Sequence, residues 1–212
     1  MEKKILSLNA EGKLVVKSVD GNEQAISPKP GVVQRGRAIV YLLVDCSSSM
    51  AGQKIEEAKN GALDFARSAF RKGYRVGLIR FETAADLICE PTTNINLISG
   101  AIGKLMPCGL TNLTDALSTA FHGLSGEKGY RVTVVVTDGC PTAPGSALEI
   151  AGKMKRQGIE ILSVATSDAD QDFLARLVSR KDLNLKVERN EFRKGMDAIA
   201  RKLPTHLLED KT

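Results

Sequence analysis

Asp45-Cys46-Ser47-Ser48-Ser49 sets one carboxylate and two hydroxyls at alternating positions, an Asp-x-Ser-x-Ser pattern. All three are hard oxygen donors. Two further segments carry the same chemistry: Gly109-Leu110-Thr111-Asn112-Leu113 offers the Thr111 hydroxyl, and Thr137-Asp138-Gly139 offers the Asp138 carboxylate. Together Asp45, Ser47, Ser49, Thr111 and Asp138 supply most of an octahedral shell for a hard divalent cation, with water completing it. Mg2+ or Mn2+ suits such a set better than zinc, and Ca2+ is the weaker choice. Neutral hydroxyl ligands matter here. Where the carboxylates bind through water, the ion keeps its Lewis acidity and an open position for an incoming anion, most naturally a carboxylate from another protein.

Those loops have to be brought together by the elements that precede them. Residues 38–44 are an apolar run without alternation, which predicts a strand buried on both faces at the centre of a parallel sheet, ending at Asp45. Residues 131–137 predict a second such strand, ending at Asp138. The carboxyl edge of an open α/β sheet is where ligands bind, so both carboxylates fall at the expected place. Helical periodicity runs through 52–72, with Ile55, Ala58, Ala62, Phe65, Ala66, Ala69 and Phe70 on one face, and Gly73 is placed to end it. Residues 74–81 read as a strand. Residues 85–89 follow so closely after the turn at Glu82-Thr83 that only an antiparallel partner fits, because a parallel return needs a crossover of about a dozen residues. Helices are predicted at 96–105, 111–124, 145–156, 170–180 and 192–203, and strands at 159–165 and 183–187. This alternation argues for an α/β fold: a doubly wound, mostly parallel sheet with one antiparallel edge strand.

The chain of 212 residues, 42% hydrophobic and 26% charged, suits one sizeable domain over 36–212 with an extension. The extension, 1–35, predicts two short strands around Asn9-Ala10-Glu11-Gly12, a β-hairpin, and a linker marked by Pro28, Pro30, Gly31 and Gly36. The first residues lack the apolar stretch of a secretory signal, and no run of eighteen apolar residues occurs, so the expected compartment is cytoplasmic. In that compartment Cys46, Cys89, Cys108 and Cys140 are expected as thiols, and they show no Cys-x-x-Cys spacing. Cys46, Cys108 and Cys140 lie in or beside the three donor loops and raise a redox question; an inert, inward-facing Cys46 is the expectation. The net charge of +5 is spread over scattered lysines and arginines, and aromatic residues are 4% of the chain, which argues against a nucleic-acid surface. His122 and His206 are isolated and give no catalytic pairing.

The order Asp45-x-Ser47-x-Ser49, Thr111 and Asp138, with strands before the first and last, resembles the von Willebrand factor A (VWA) domain and its metal-ion-dependent adhesion site (MIDAS), over about residues 36–204. The resemblance implies that Ser47, Ser49 and Thr111 contact the metal, Thr111 in the ligand-bound form, and that Asp45 and Asp138 hold it directly or through water. Ser48 and Leu110 stand where such domains often carry glycine. The implied function is capture of an acidic residue of a partner protein; similarity to cytoplasmic prokaryotic members suggests an AAA+ ATPase of MoxR or chelatase type. Each residue also has a plainer role open to it: Ser47 or Ser49 could cap the helix at 52, Thr111 or Asn112 the next helix, and Asp138-Gly139 could form an ordinary turn. Asp168 and Asp170 read as helix caps. A metal-assisted hydrolase or phosphoryl-transfer enzyme is the alternative from another class, but the chain has no Gly-x-x-x-x-Gly-Lys-Ser/Thr loop, no second carboxylate beside Asp45 and no histidine base. A nucleic-acid-binding domain is the other alternative.

Overall fold

The computed structural model describes residues 5–8, 14–17, 23–25 and 38–205. Two compact units divide the chain, Met1–Arg35 and Gly36–Thr212. In the first, β1 (Ile5–Leu8), β2 (Leu14–Lys17) and β3 (Glu23–Ala25) form an antiparallel sheet in that order. The third strand goes beyond the two expected from the sequence. Its Glu-Gln-Ala composition is poor in β-branched and aromatic residues and gives no local strand signal. The segment around Asn9, the proposed linker and His206 lie outside the described residues.

The second unit is a six-stranded sheet of order β6-β5-β4-β7-β8-β9. Its strands are β4 (Ala38–Asp45), β5 (Tyr74–Phe81), β6 (Ala85–Thr92), β7 (Tyr130–Thr137), β8 (Ile159–Thr166) and β9 (Asn184–Val187). All pairings are parallel except β5 with β6, which is antiparallel at the edge. The helices are α1 (Gln53–Arg71), α2 (Ile95–Gly103), α3 (Leu113–Ser125), α4 (Pro144–Arg156), α5 (Gln171–Leu177) and α6 (Phe192–Lys202). Alternate residues of β4 divide between two cores. Val40, Leu42 and Val44 pack with α1, α2 and α6, whereas Ile39, Tyr41 and Leu43 pack with α3, α4 and α5. Every residue of β4 is buried, which is why that strand reads as an unbroken apolar run. The fold is the doubly wound α/β arrangement expected from the sequence.

Tyr41 is the largest side chain of the central strand and needs space on both sides. A Cβ at Gly77 of β5 would stand 2.4 Å from its ring, and one at Gly123 of α3 would stand 2.7 Å from its hydroxyl. Both glycines therefore serve one buried ring. Two elements differ in length from expectation. The helix expected to reach residue 180 stops at Leu177, because Val178 turns extended and Ser179 bonds to β8: its N–H donates to the Ile161 carbonyl at 2.9 Å, and its Oγ accepts from Ile161 N–H at 2.9 Å. Edge strand β6 continues to Thr92 past irregularities in its register with β5, and it carries Pro91, a residue that edges tolerate.

Candidate functional site

Parallel register carries β4 and β7 to the same edge, with Val44 beside Val136, so Asp45 and Thr137 end their strands together. Asp45 is fully buried. Its Oδ1 accepts the Ser47 N–H at 2.8 Å, folding the loop back over the strand end, and its Oδ2 accepts from Thr137 Oγ1 at 2.6 Å. Burial pushes the Asp45 pKa up to about 6; the hydrogen bonds from Thr137 and Ser47 pull it down, and the nearby Asp138 charge adds to the rise.

From the Ser47 hydroxyl, oxygen atoms run in a chain. Ser47 Oγ lies 3.0 Å from Ser49 Oγ, and Ser49 Oγ donates to Asp138 Oδ1 at 2.7 Å. Asp138, 5% exposed, has its carbonyl held by Thr166 Oγ1 at 3.3 Å, and its Oδ2 contacts the ammonium of Lys54. The serines are not spent on helix capping. The N-cap of α1 is Gly52, without a side-chain bond, and Ser47 precedes the short 3-10 turn Ser48–Met50 without capping it. Asn112 does take the plainer role, its Oδ1 accepting from Asp115 N–H at 3.2 Å to cap α3, and Asp170 caps α5 in the same way through Phe173 N–H.

Thr111 stands on a loop tied down from three directions. The Gly109 carbonyl accepts from Ser48 N–H at 3.3 Å and Ser48 Oγ at 3.1 Å, Asn112 N–H donates to the Glu82 carbonyl at 2.7 Å, and the Thr111 carbonyl accepts from Thr142 N–H at 3.0 Å and Oγ1 at 2.8 Å. The structure thus joins Asp45, Ser47, Ser49 and Asp138 in one network. Among the described residues the Thr111 hydroxyl makes no hydrogen bond to them; its loop neighbours theirs through backbone contacts. Leu110, 58% exposed, and Met106, 69% exposed, leave apolar side chains open beside this edge.

Cys108 N–H donates to the Cys46 carbonyl at 2.6 Å, which fastens the same loop to β4. The Cys46 thiol is buried, and burial pushes its pKa up to about 12, so it packs as a small apolar residue and not as a thiolate. Cys108 and Cys140 are exposed free thiols.

No group of three or more His, Cys, Asp or Glu side chains gathers among the described residues. Two buried carboxylates with two serine hydroxyls between them fit a hard divalent cation, and one carboxylate already holds a cation, the Lys54 ammonium.

The von Willebrand factor type A domain profile matches residues 40–197, which includes every candidate donor. The chain belongs to the von Willebrand factor type A family. A VWA domain is a module that often mediates metal-dependent protein interactions. Among relatives, a UPF0353 protein of Mycolicibacterium paratuberculosis is 28% identical over 149 residues, covering 61% of this chain and 44% of its own. The chain thus spans less than half the length of that relative. Among solved structures, the von Willebrand domain of the type V pili tip protein Mfa5 from Porphyromonas gingivalis superposes with TM-score 0.71 at 12% identity, over 77% of this chain and 94% of its own. Proximal thread matrix protein 1 from the mussel byssus, with a zinc-occupied MIDAS motif, superposes with TM-score 0.70 at 20% identity, over 79% of this chain and 46% of its own. These likenesses show a shared fold.

Three polar residues of this VWA domain escape a reading by sequence spacing. Thr137 was visible as part of Thr137-Asp138-Gly139, but its bond to Asp45 joins residues 92 apart in the chain. Thr166 is the last residue of β8 and meets Asp138 only through the sheet. Lys54 left one local signal: it is a cation in the first turn of α1, where the helix dipole favours negative charge.

Proposed function

We propose that this VWA domain is a metal-dependent protein-binding module. Asp45, Ser47, Ser49 and Asp138, with Thr111 joining them, hold a divalent cation that captures an Asp or Glu side chain of a partner protein. The observation that carries this reading is the hydrogen-bonded network from buried Asp45, through the Ser47 N–H and the Ser47 and Ser49 hydroxyls, to Asp138, at the edge where two buried parallel strands end. Hard oxygen donors favour Mg2+ or Mn2+. The mussel protein with its zinc-occupied MIDAS supports a divalent cation on this fold.

When bound, the cation supplies a Lewis-acid position for the partner's carboxylate. The chain's own residues do the rest. Thr137 and the Ser47 N–H fix the Asp45 carboxylate, Ser49 links Ser47 to Asp138, and the backbone ties at Gly109 and Thr111 hold the Thr111 loop in place. An AAA+ ATPase of MoxR or chelatase type, offering such an acidic side chain, is the partner class that fits.

Affinity capture from native cell extract tests the reading. The wild-type protein in Mg2+ is expected to retain a partner that is released by EDTA and is not retained by Ser47→Ala or Asp138→Ala, both still folded by circular dichroism. Retention that ignores both EDTA and the substitutions contradicts metal-dependent capture. Metal-dependent hydrolysis of a generic phosphate ester, abolished by Asp45→Ala, would instead move the site to the hydrolase class.

A further inference from the structure

Lys54 occupies an unfavourable place on local grounds. It follows Gln53 in the first turn of α1, where a positive charge opposes the helix dipole. Its side chain turns back toward the loop edge, where Nζ donates to the Ser49 carbonyl at 3.1 Å and contacts Asp138 Oδ2. The Asp138 side chain is 1% exposed and that of Lys54 is 20% exposed. A carboxylate so far from water requires a positive partner or several strong donors. Ser49 supplies one donor to Oδ1; Lys54 supplies the charge at Oδ2. The lysine is thus tethered by its own helix beside the oxygen set, without belonging to it.

We propose that Lys54 is a built-in counter-cation of the metal site: its ammonium pairs with Asp138 in the metal-free protein and gives way when a divalent cation enters. The inference rests on the metal-binding reading above and concerns how that site is regulated. An ammonium and a divalent cation gathered at one carboxylate repel each other, and the repulsion is strong where water is sparse. Lys54 therefore stabilises the metal-free edge and lowers metal affinity at the same time. The consequence is a threshold: the domain becomes competent for a partner only at a divalent-cation concentration sufficient to displace its own lysine. Divalent cations that share the same oxygen donors face the same competition, each at a concentration set by its own affinity.

The test compares the 212-residue wild type with Lys54→Met, Lys54→Gln and Lys54→Arg. Calorimetric titration with MnCl2 is expected to show binding ~10-fold tighter or more in Lys54→Met and Lys54→Gln, as expected for removing one nearby like charge. Lys54→Arg, which keeps the charge, is expected to stay close to the wild type. The two neutral variants should melt below the wild type in EDTA and regain the difference in saturating Mn2+. Reaction of Lys54 with acetic anhydride, followed by mass spectrometry, should speed up when Mn2+ is added to the wild type. Equal or weaker Mn2+ binding by both folded neutral variants overturns the proposal, as does acetylation that Mn2+ leaves unchanged or slows. Binding seen in the neutral variants but undetectable in the wild type supports it. If neither the wild type nor any variant binds Mn2+, the metal-binding reading itself fails; if the wild type binds and the neutral variants match it, only the role of Lys54 falls.

Discussion

Asp45 is pulled two ways: burial favours its protonated form, while Thr137 and the Ser47 N–H favour the carboxylate, and the balance leaves its pKa at about 6 against 3.8 for an ordinary aspartate. The sign of the resulting pH dependence follows from proton counting. Between those two values the folded protein holds a proton that the unfolded chain has released, so metal-free stability falls as pH rises from about 4 to about 6, by about 2 to 3 kcal/mol, and then levels off. Metal binding reverses the preference, because the cation needs the carboxylate. We expect Mn2+ affinity to fall about tenfold for each pH unit below about 6, with the unfolding midpoint in EDTA moving the opposite way over the same range. Denaturant titrations at several pH values, with Mn2+ and with EDTA, check both arms, and parallel pH profiles in the two conditions would contradict the assignment. The oxygen donors themselves were legible from spacing alone, because Asp45, Ser47 and Ser49 sit within one pentad and Asp138 repeats the strand-end pattern. The groups that tune them were not: Lys54 reaches Asp138 across 84 residues and Thr137 reaches Asp45 across 92, distances that no local pattern spans.

At the scale of elements, the buried strands β4 and β7 and the periodic helix α1 announce themselves by composition, since an apolar run and a repeat near 3.6 leave few alternatives. Ends are set by tertiary partners instead. The early stop of α5 depends on Ser179 meeting Ile161 of β8, and the length of β6 depends on its pairing with β5. Gly77 shows the same dependence inside a strand, where its missing side chain makes room for Tyr41. Gly77→Ala is expected to cost roughly 1–3 kcal/mol, the usual penalty for overpacking a core. Gly126→Ala, whose added Cβ meets nothing within 4 Å, is the matched control and should change stability little. Urea unfolding of both variants checks the contrast; equal midpoints would remove Tyr41 as the reason for a glycine in β5.

At the scale of the molecule, the doubly wound order brings three loops, those after β4 and β7 and the one between α2 and α3, to one carboxyl edge, so the candidate site is a product of topology. Among the described residues no helix is long and apolar enough to cross a membrane. The unit Gly36–Thr212 carries a core on each face of its sheet. We expect residues 36–212 produced alone to unfold cooperatively and to bind Mn2+ as the full chain does. Calorimetry and thermal melts of the shortened chain check this; loss of cooperative unfolding would show that the extension is needed for the fold. In the Met1–Arg35 unit the third strand, weak in local propensity, was not legible in the sequence.

The central claim is that Asp45, Ser47, Ser49, Thr111 and Asp138 form one cation site, and calorimetric titration of MnCl2 into the wild type and into Asp138→Ala tests it most directly. The account predicts one saturable site per wild-type chain, with binding weakened at least ~10-fold in the folded variant, as for loss of a charged ligand. Absence of a saturable site in both the wild type and Lys54→Met, or identical binding by the wild type and Asp138→Ala, would contradict it.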